Sequence, residues 1–147
     1  MFFTGWAKVG NGEQESALKA LPAELEVEES VVFVGHVREV ASEYRAASLY
    51  VMSSRWEGLP MTLLEAQHFG LPSVSTDCPT GPREVLSGGS GRLVKLEDPR
   101  ALADGLSDLV NNSAKRGSMS RAAKENARRY RPEGIRSEWE EMLAELG

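Results

Sequence analysis

Cysteine occurs once in this 147-residue sequence, at Cys78, and histidine only twice, at His36 and His68. One cysteine excludes an intrachain disulfide. Two histidines without neighbouring thiols give no basis for a zinc-type site, and no metal or cofactor is expected. No apolar run approaches the ~18 residues of a membrane span. The opening MFFTGWAKVGNGEQ lacks the basic segment and apolar core of an export signal. Basic charge is also short, with 17 Lys and Arg against 22 Asp and Glu, a net charge of -5. Nucleic-acid binders usually carry a basic face, so that class is set aside. A phosphate-bearing small molecule is not excluded, because a local field can oppose the net charge. Repeats and low-complexity segments are absent as well. The expectation is one soluble, cytoplasmic domain covering 1–147.

What is present is alternation. WAKV (Trp6–Val9) reads as a strand and GNGE (10–13) as a turn. A helix follows over 16–25, with Leu18, Leu21 and Leu25 on one stripe. SVVFVG (30–35) has the composition of a buried strand. Helix is predicted over 37–47, strand at LYVM (49–52), helix over 60–69 and strand at PSVS (72–75). A short helix over 83–86 and a strand at GRLVK (91–95) complete the pattern. Beyond Asp98 only helix is predicted, over 99–111, 114–130 and 133–146. Asp98 suits an N-cap and Pro99 the first helical position. Leu102, Leu106, Leu109 and Val110 form the expected core face, and the last two helices read as surface helices.

Alternating strands and helices imply an α/β, Rossmann-like parallel sheet with helices on both faces. Right-handed crossovers put every strand-to-helix loop on one edge, where ligands of such sheets bind. Three strand ends are therefore expected to converge: Gly35, His36 and Val37; 53–59; and 76–81.

The stretch SRWEGLPMTLLEAQHFGLP (54–72) carries the chemistry. Glu57 and Glu65 are separated by seven residues, and a helix is predicted to start between them. A helix start offers unpaired N–H groups and the positive end of the dipole, which attract an anion. Gly58 lets a ligand approach the backbone. A carboxylate with two acceptor oxygens grips a vicinal diol. Glu65 lies roughly 7–8 Å along the helix, at ~1.5 Å per residue. The order acid, anion hole, acid matches a molecule built as sugar, diphosphate and ribose.

Spacing of this kind is common by chance, but its surroundings are specific. VVFVGHV, YRAASLYVMSSRWEGLPMTLLEAQHFGLPSVSTD, GPREVLSGGSGRLVKLEDPRALADGLSDLV and the late Trp139 occur in this order. Together they resemble the C-terminal half of glycosyltransferase family 4, the group 1 glycosyltransferases, which are retaining enzymes of the two-domain GT-B type. The family's E-G-x-P-x-x-x-x-E-A context reads EGLPMTLLEA (57–66) here. TDCPTGPREVL resembles bacterial enzymes that build surface polysaccharides or glycolipids.

The resemblance implies that Glu57 is catalytic and contacts the donor sugar. Gly58, Leu59, Met61 and Thr62 lie by the sugar and diphosphate, and Glu65 holds the ribose. Ser54 is the small polar residue before the motif, and Gly35, His36 and Val37 edge the base pocket. The donor is expected to be a nucleotide-diphosphate sugar, such as a UDP- or GDP-sugar, with no divalent metal. The chain's start resembles the family's second strand. The resemblance therefore implies that a preceding strand-helix unit, with an Arg and a Lys for the diphosphate, is missing, as is the acceptor-binding N-terminal domain. At roughly 1.5–3 kcal/mol per hydrogen bond to a charged group, losing two weakens donor binding by ~100-fold or more. Millimolar donor binding, no transfer by this chain alone and self-association at an exposed sheet edge are the expectations.

Other residues have competing readings. His36 suits a base contact or a solvated loop, and His68 suits packing. Cys78 lacks a basic partner, so a catalytic thiol is not expected. Asp77 reads as a turn former, and Glu84 as orienting the loop or touching the sugar. Arg55 is either a substitute cation or a surface residue, and Trp56 a lid or packing residue. The basic run over 121–131 is solvated, or meets a partner domain or the inner face of a membrane. Trp139 suits an anchor onto the N-terminal domain. Rival functions are a non-catalytic nucleotide-sugar-binding or partner-binding subunit of a split enzyme, and a nucleotide-sugar epimerase, which the EGLPMTLLEA context disfavours.

Overall fold

The computed structural model describes residues 5–10 and 12–146. Asn11 of the expected GNGE turn, and the first four residues of the opening segment, lie outside the described residues. The chain divides into two compact units, Met1–Ser42 and Glu43–Gly147.

The first unit is a β-α-β element. Strand β1 (Trp6–Val9), helix α1 (Glu15–Glu24) and a single 3-10 turn (Glu28–Ser30) lead into β2 (Val31–Gly35). The strands run parallel, Trp6 opposite Val31, with an irregularity where Val9 meets Gly35. Gly35 has φ 75°, and its carbonyl accepts from the Gly10 N–H at 2.6 Å. Two expectations change here. The run 30–35 is half-buried rather than buried, with Val32 42% exposed. The Leu18, Leu21 and Leu25 stripe of α1 is also exposed. Among the described residues β2 pairs only with β1, so a two-stranded sheet has little with which to cover its apolar residues. Helix α2 (Ala41–Ala46) is shorter than the 37–47 expected and straddles the boundary between the units.

The second unit is built on three parallel strands in the order β3 (Tyr50–Met52), β4 (Ser73–Thr76) and β5 (Gly91–Val94). Alternation suggests one sheet, but among the described residues no ladder joins these strands to β1 or β2, and the parallel strands form two sheets. Tyr50 pairs with Ser73 and Ser73 with Gly91, so side chains alternate in step across all three strands. Met52 and Leu93 point to one face, with Leu63 and Leu64 of α3 (Met61–His68) and Val85 of α4 (Pro82–Val85). Val74 and Val94 point to the other, with Leu102, Leu106 and Leu109 of α5 (Pro99–Asn111) and Met119 of α6 (Ser113–Ala127). Helices therefore cover both faces, the layering of a Rossmann-like fold.

Local signals set the helix ends. Asp98 caps α5 by accepting from the Ala101 N–H at 2.9 Å, with Pro99 at the first position. Asn112 caps α6 in the same way through the Lys115 N–H. Val110 does not join the core face of α5; it is 55% exposed, one helical step around from the fully buried Leu109. Gly105 sits on the buried side instead, where a Cβ would lie 3.1 Å from Val74.

The charged composition of α6 suggests a surface helix, but Met119, Ala123, Asn126 and Ala127 are buried. Asn126 is the reason. Its amide donates to the Val85 carbonyl at 2.5 Å and lies 3.3 Å from Ser90 Oγ and 3.5 Å from Gln67 Oε1. Its own oxygen accepts from Ser87 Oγ at 2.7 Å. Gln67 continues the network to the Ser90 carbonyl at 3.0 Å and Ser73 Oγ at 3.3 Å. A last helix, α7 (Pro132–Leu146), follows a 3-10 turn at Arg128–Tyr130. Its described apolar residues Ile135, Trp139, Met142 and Leu143 are all exposed. No helix among the described residues is long and apolar enough to cross a membrane.

Replacing Asn126 with Ala leaves buried groups on three segments without partners. The expected loss is ~2–4 kcal/mol in urea unfolding, against less than ~0.5 kcal/mol for Arg128→Ala just past the end of that helix. A second expectation concerns pH. Hydrogen bonding from Lys115, with the charges of Lys115 and Arg92 and against partial burial, holds the Asp108 carboxyl below its usual range. A depressed carboxyl stabilises the fold above its unfolded pKa, and that contribution is lost as pH falls through the folded value. Unfolding of Asp108→Asn followed from pH 7 to pH 2 should therefore show a shallower acid limb than the parent.

Candidate functional site

At the carboxyl edge of the three-stranded sheet, loops 53–60, 77–81 and 95–98 meet. Thr76 Oγ1, at the end of β4, donates to the Ser54 carbonyl at 2.5 Å. The Asp77 N–H donates to the Val94 carbonyl at 2.8 Å, tying the second loop to the end of β5. Thr80 Oγ1 donates to the Glu57 carbonyl. Thr80 and Gly81 both take positive φ, 61° and 87°. For a β-branched residue that conformation is unusual and costs energy. At position 81 it is joined by a steric demand, since a Cβ would lie 2.7 Å from the Gly58 carbonyl oxygen and run into the Pro60 ring. Only glycine lets the two loops close on each other there.

The side chains follow from this frame. Glu57 is half-buried, and its Oε1 accepts from Ser54 Oγ at 2.6 Å. Glu65 lies on the second turn of α3, half-buried, and its Oε2 accepts from the Tyr44 hydroxyl at 2.9 Å. Thr62 Oγ1 accepts from the Tyr50 hydroxyl at 2.8 Å. Gly58, Leu59 and Met61 are exposed along the rim between the two acids.

The start of α3 is less open than its sequence suggests. The Met61 N–H turns back to the Leu59 carbonyl at 2.8 Å, and the Leu63 N–H reaches the Pro60 carbonyl at 3.0 Å. Among the described residues, the N–H groups of Gly58, Leu59 and Thr62 have no protein acceptor. The tight turn at Pro60 uses part of the helix end, and the loop amides before it replace what is lost.

Beside this rim an open cleft of about 640 Å³ is lined by Asp77, Cys78, Thr80, Arg83, Glu84 and Leu96. Neither Glu57 nor Glu65 lines it. Asp77 is more than a turn former, because its carboxylate pairs with Arg83. Burial pushes the Cys78 thiol up, so it stays protonated near neutral pH and is a poor nucleophile. Arg55 faces Glu97 at 3.7 Å with both side chains exposed, the arrangement of a surface pair. Trp56 is 73% exposed, so most of its ring is open to solvent. His68 is exposed and meets the edge of Phe69 at 5.6 Å. Gly35, His36 and Val37 close β2 in the first unit, with His36 exposed and the other two half-buried. Among the described residues no three or more His, Cys, Asp or Glu gather as metal ligands do.

Sequence reasoning missed Tyr44, Tyr50, Thr76 and Thr80. Thr80 had a local signal, since TG before a proline suggests an unusual turn. The tyrosines had none, because their partners lie 21 and 12 residues away.

Comparison with known proteins agrees with this architecture. The model of the family described as "Glycosyl transferases group 1" matches residues 7–128. The amylovoran biosynthesis glycosyltransferase AmsD of Erwinia amylovora is 33% identical over 141 residues, which cover 95% of this chain and 40% of that protein. The chain thus spans about two fifths of that relative's length. Among solved structures, TarM of S. aureus superposes with a TM-score of 0.84 at 23% identity, over 92% of this chain and 28% of its own. Anabaena Alr3699/HepE, solved in complex with UDP, superposes with a TM-score of 0.83 at 21% identity, over 97% of this chain and 41% of its own. These structures share the fold, and the breadth of the family match settles membership: the chain belongs to the group 1 glycosyltransferases.

Proposed function

We propose that this chain is the donor-binding part of a retaining glycosyltransferase that moves a sugar from a nucleotide diphosphate to an acceptor in polysaccharide or glycolipid synthesis. The observation that carries the reading is the order of groups at the start of α3. The Glu57 carboxylate comes first, then the unpartnered amides of Gly58, Leu59 and Thr62, then the Glu65 carboxylate. Glu57, oriented by Ser54, holds hydroxyls of the donor sugar. The amides, with the dipole of α3, take the diphosphate, where fixed donors stabilise the charge that grows as the sugar departs. Glu65 holds the ribose diol. Nothing in the site is placed as a protein nucleophile, so we assign proton removal from the acceptor to a departing phosphate oxygen on the same face of the sugar. That geometry preserves the anomeric configuration. The reading invokes no divalent metal.

AmsD is named for amylovoran biosynthesis, and a Salmonella typhimurium relative, 32% identical over 100 residues, is a lipopolysaccharide 1,6-galactosyltransferase. By analogy we assign this chain a nucleotide-sugar donor and a saccharide or lipid-linked acceptor. Acceptor binding is assigned to a part of the enzyme corresponding to what these relatives carry beyond the matched region. On that reading this chain alone binds donor weakly and does not transfer it.

The test is an NMR titration of the labelled chain with UDP, GDP, ADP and a UDP-sugar. Shifts are expected at Gly58, Leu59, Thr62 and Glu65, with one base preferred. Glu65→Ala should weaken free nucleotide by ~10- to 100-fold, the worth of one or two hydrogen bonds to a charged group. Glu57→Ala should remove only the increment contributed by the sugar. Equal binding by both variants and the parent would sink the assignment.

A further inference from the structure

Tyr44 plays no part in the reading above, yet it is a buried polar group bonded directly to one of the two acids. It stands on α2, is 7% exposed, and lies within the second unit with all of its partners. Its ring stacks on Phe69 at 5.3 Å and 18° and meets Tyr50 at 6.2 Å. The guanidinium of Arg45 lies over the Phe69 ring at 5.4 Å. The ring is thus held from several sides, and its hydroxyl is delivered to one place. That place is Glu65 Oε2 at 2.9 Å, with the Thr62 carbonyl at 3.2 Å as a second acceptor.

A glutamate on a helix has three side-chain torsions, and a half-exposed one samples many rotamers. A hydrogen bond from a locked phenol to one oxygen removes most of that freedom. The other oxygen, Oε1, accepts from no described group and remains for a ligand. Tyr50 treats Thr62 alike, so two residues one turn apart on α3 are each held by a tyrosine from outside the helix. Burial, then the bond to Glu65, keeps the Tyr44 hydroxyl protonated far above neutral pH, so the donor is constant wherever the protein works.

We propose that Tyr44 is a positioning residue that presets the Glu65 carboxylate for a vicinal diol. The proposal rests on the assignment of Glu65 to the ribose, and its test separates the two. Tyr44→Phe keeps the ring stack and removes only the hydroxyl. Affinities for UDP and for 2′,3′-dideoxy-UDP are measured with the parent, Tyr44→Phe, Glu65→Gln and the double variant. In the parent the diol should improve affinity by about tenfold, a ~1.4 kcal/mol increment. Both single variants should lose that increment, the double variant should lose no more, and affinity for the dideoxy ligand should stay within about twofold throughout. Loss in Glu65→Gln with retention in Tyr44→Phe overturns the positioning role and leaves the ribose assignment standing. A parent that does not distinguish the two ligands overturns both.

A ligand-free readout stands beside it. Three-bond couplings across the Glu65 side chain should report one rotamer in the parent and averaging in Tyr44→Phe. Averaging in both proteins overturns the proposal without recourse to any nucleotide.

Discussion

The side-chain amide of Asn126 is the point on which the second unit depends. It reaches from α6 to the end of α4, to the turn before β5 and to Gln67 on α3. Gln67 is fully buried and carries the network to the first residue of β4. A set of buried polar groups is costly unless every member is paired, and among the described residues no buried side-chain polar atom lacks a partner. That condition admits few arrangements. It fixes the rotation of α3 about its axis, because Gln67 must face inward between Leu63 and the strands. With Gln67 inward, Glu65 is turned toward Tyr44 and the site rim.

Structure and site are therefore joined through one short helix. Leu63 and Ala66 bury its inner face completely, Gln67 anchors it, and Thr62 and Glu65 present its outer face to two tyrosines. The loop before it is held from the other side. Thr76, Thr80 and Gly81, at and after the end of β4, hold the backbone of residues 54–60, while Ser54 of the same loop orients the Glu57 carboxylate. Two carboxylates on one stretch of chain thus owe their orientations to different parts of the fold. Preorganisation of this kind limits the entropy lost when a flexible donor is bound.

Among its described residues the first unit has no comparable buried polar network. Trp6, Val9, Leu18, Leu21, Leu25 and Val32 are each at least 36% exposed. The periodicity that marks 16–25 as amphipathic is correct as a statement about one helix face. Whether such a face is covered depends on what packs there, which a repeat of leucines does not state. The charged surface of α6 gave the opposite error, because Ala123 and Asn126 are too small and too polar to register as a buried face.

Much was legible from local chemistry. Strand and helix positions, the Asp98 start of α5, and the context EGLPMTLLEA all depend on interactions between residues a few positions apart. Sequence therefore determined the α/β class, the family and the stretch that bears the two glutamates. Tertiary structure alone decided that Tyr44 holds Glu65, that Thr76 and Thr80 hold the loop before α3, and that Asn126 is buried. The physical reason is distance along the chain. A cap or a periodic face is settled within a turn or two, whereas the Asn126–Gln67 and Tyr44–Glu65 pairs span 59 and 21 residues. Such pairs form only once packing has excluded every other partner.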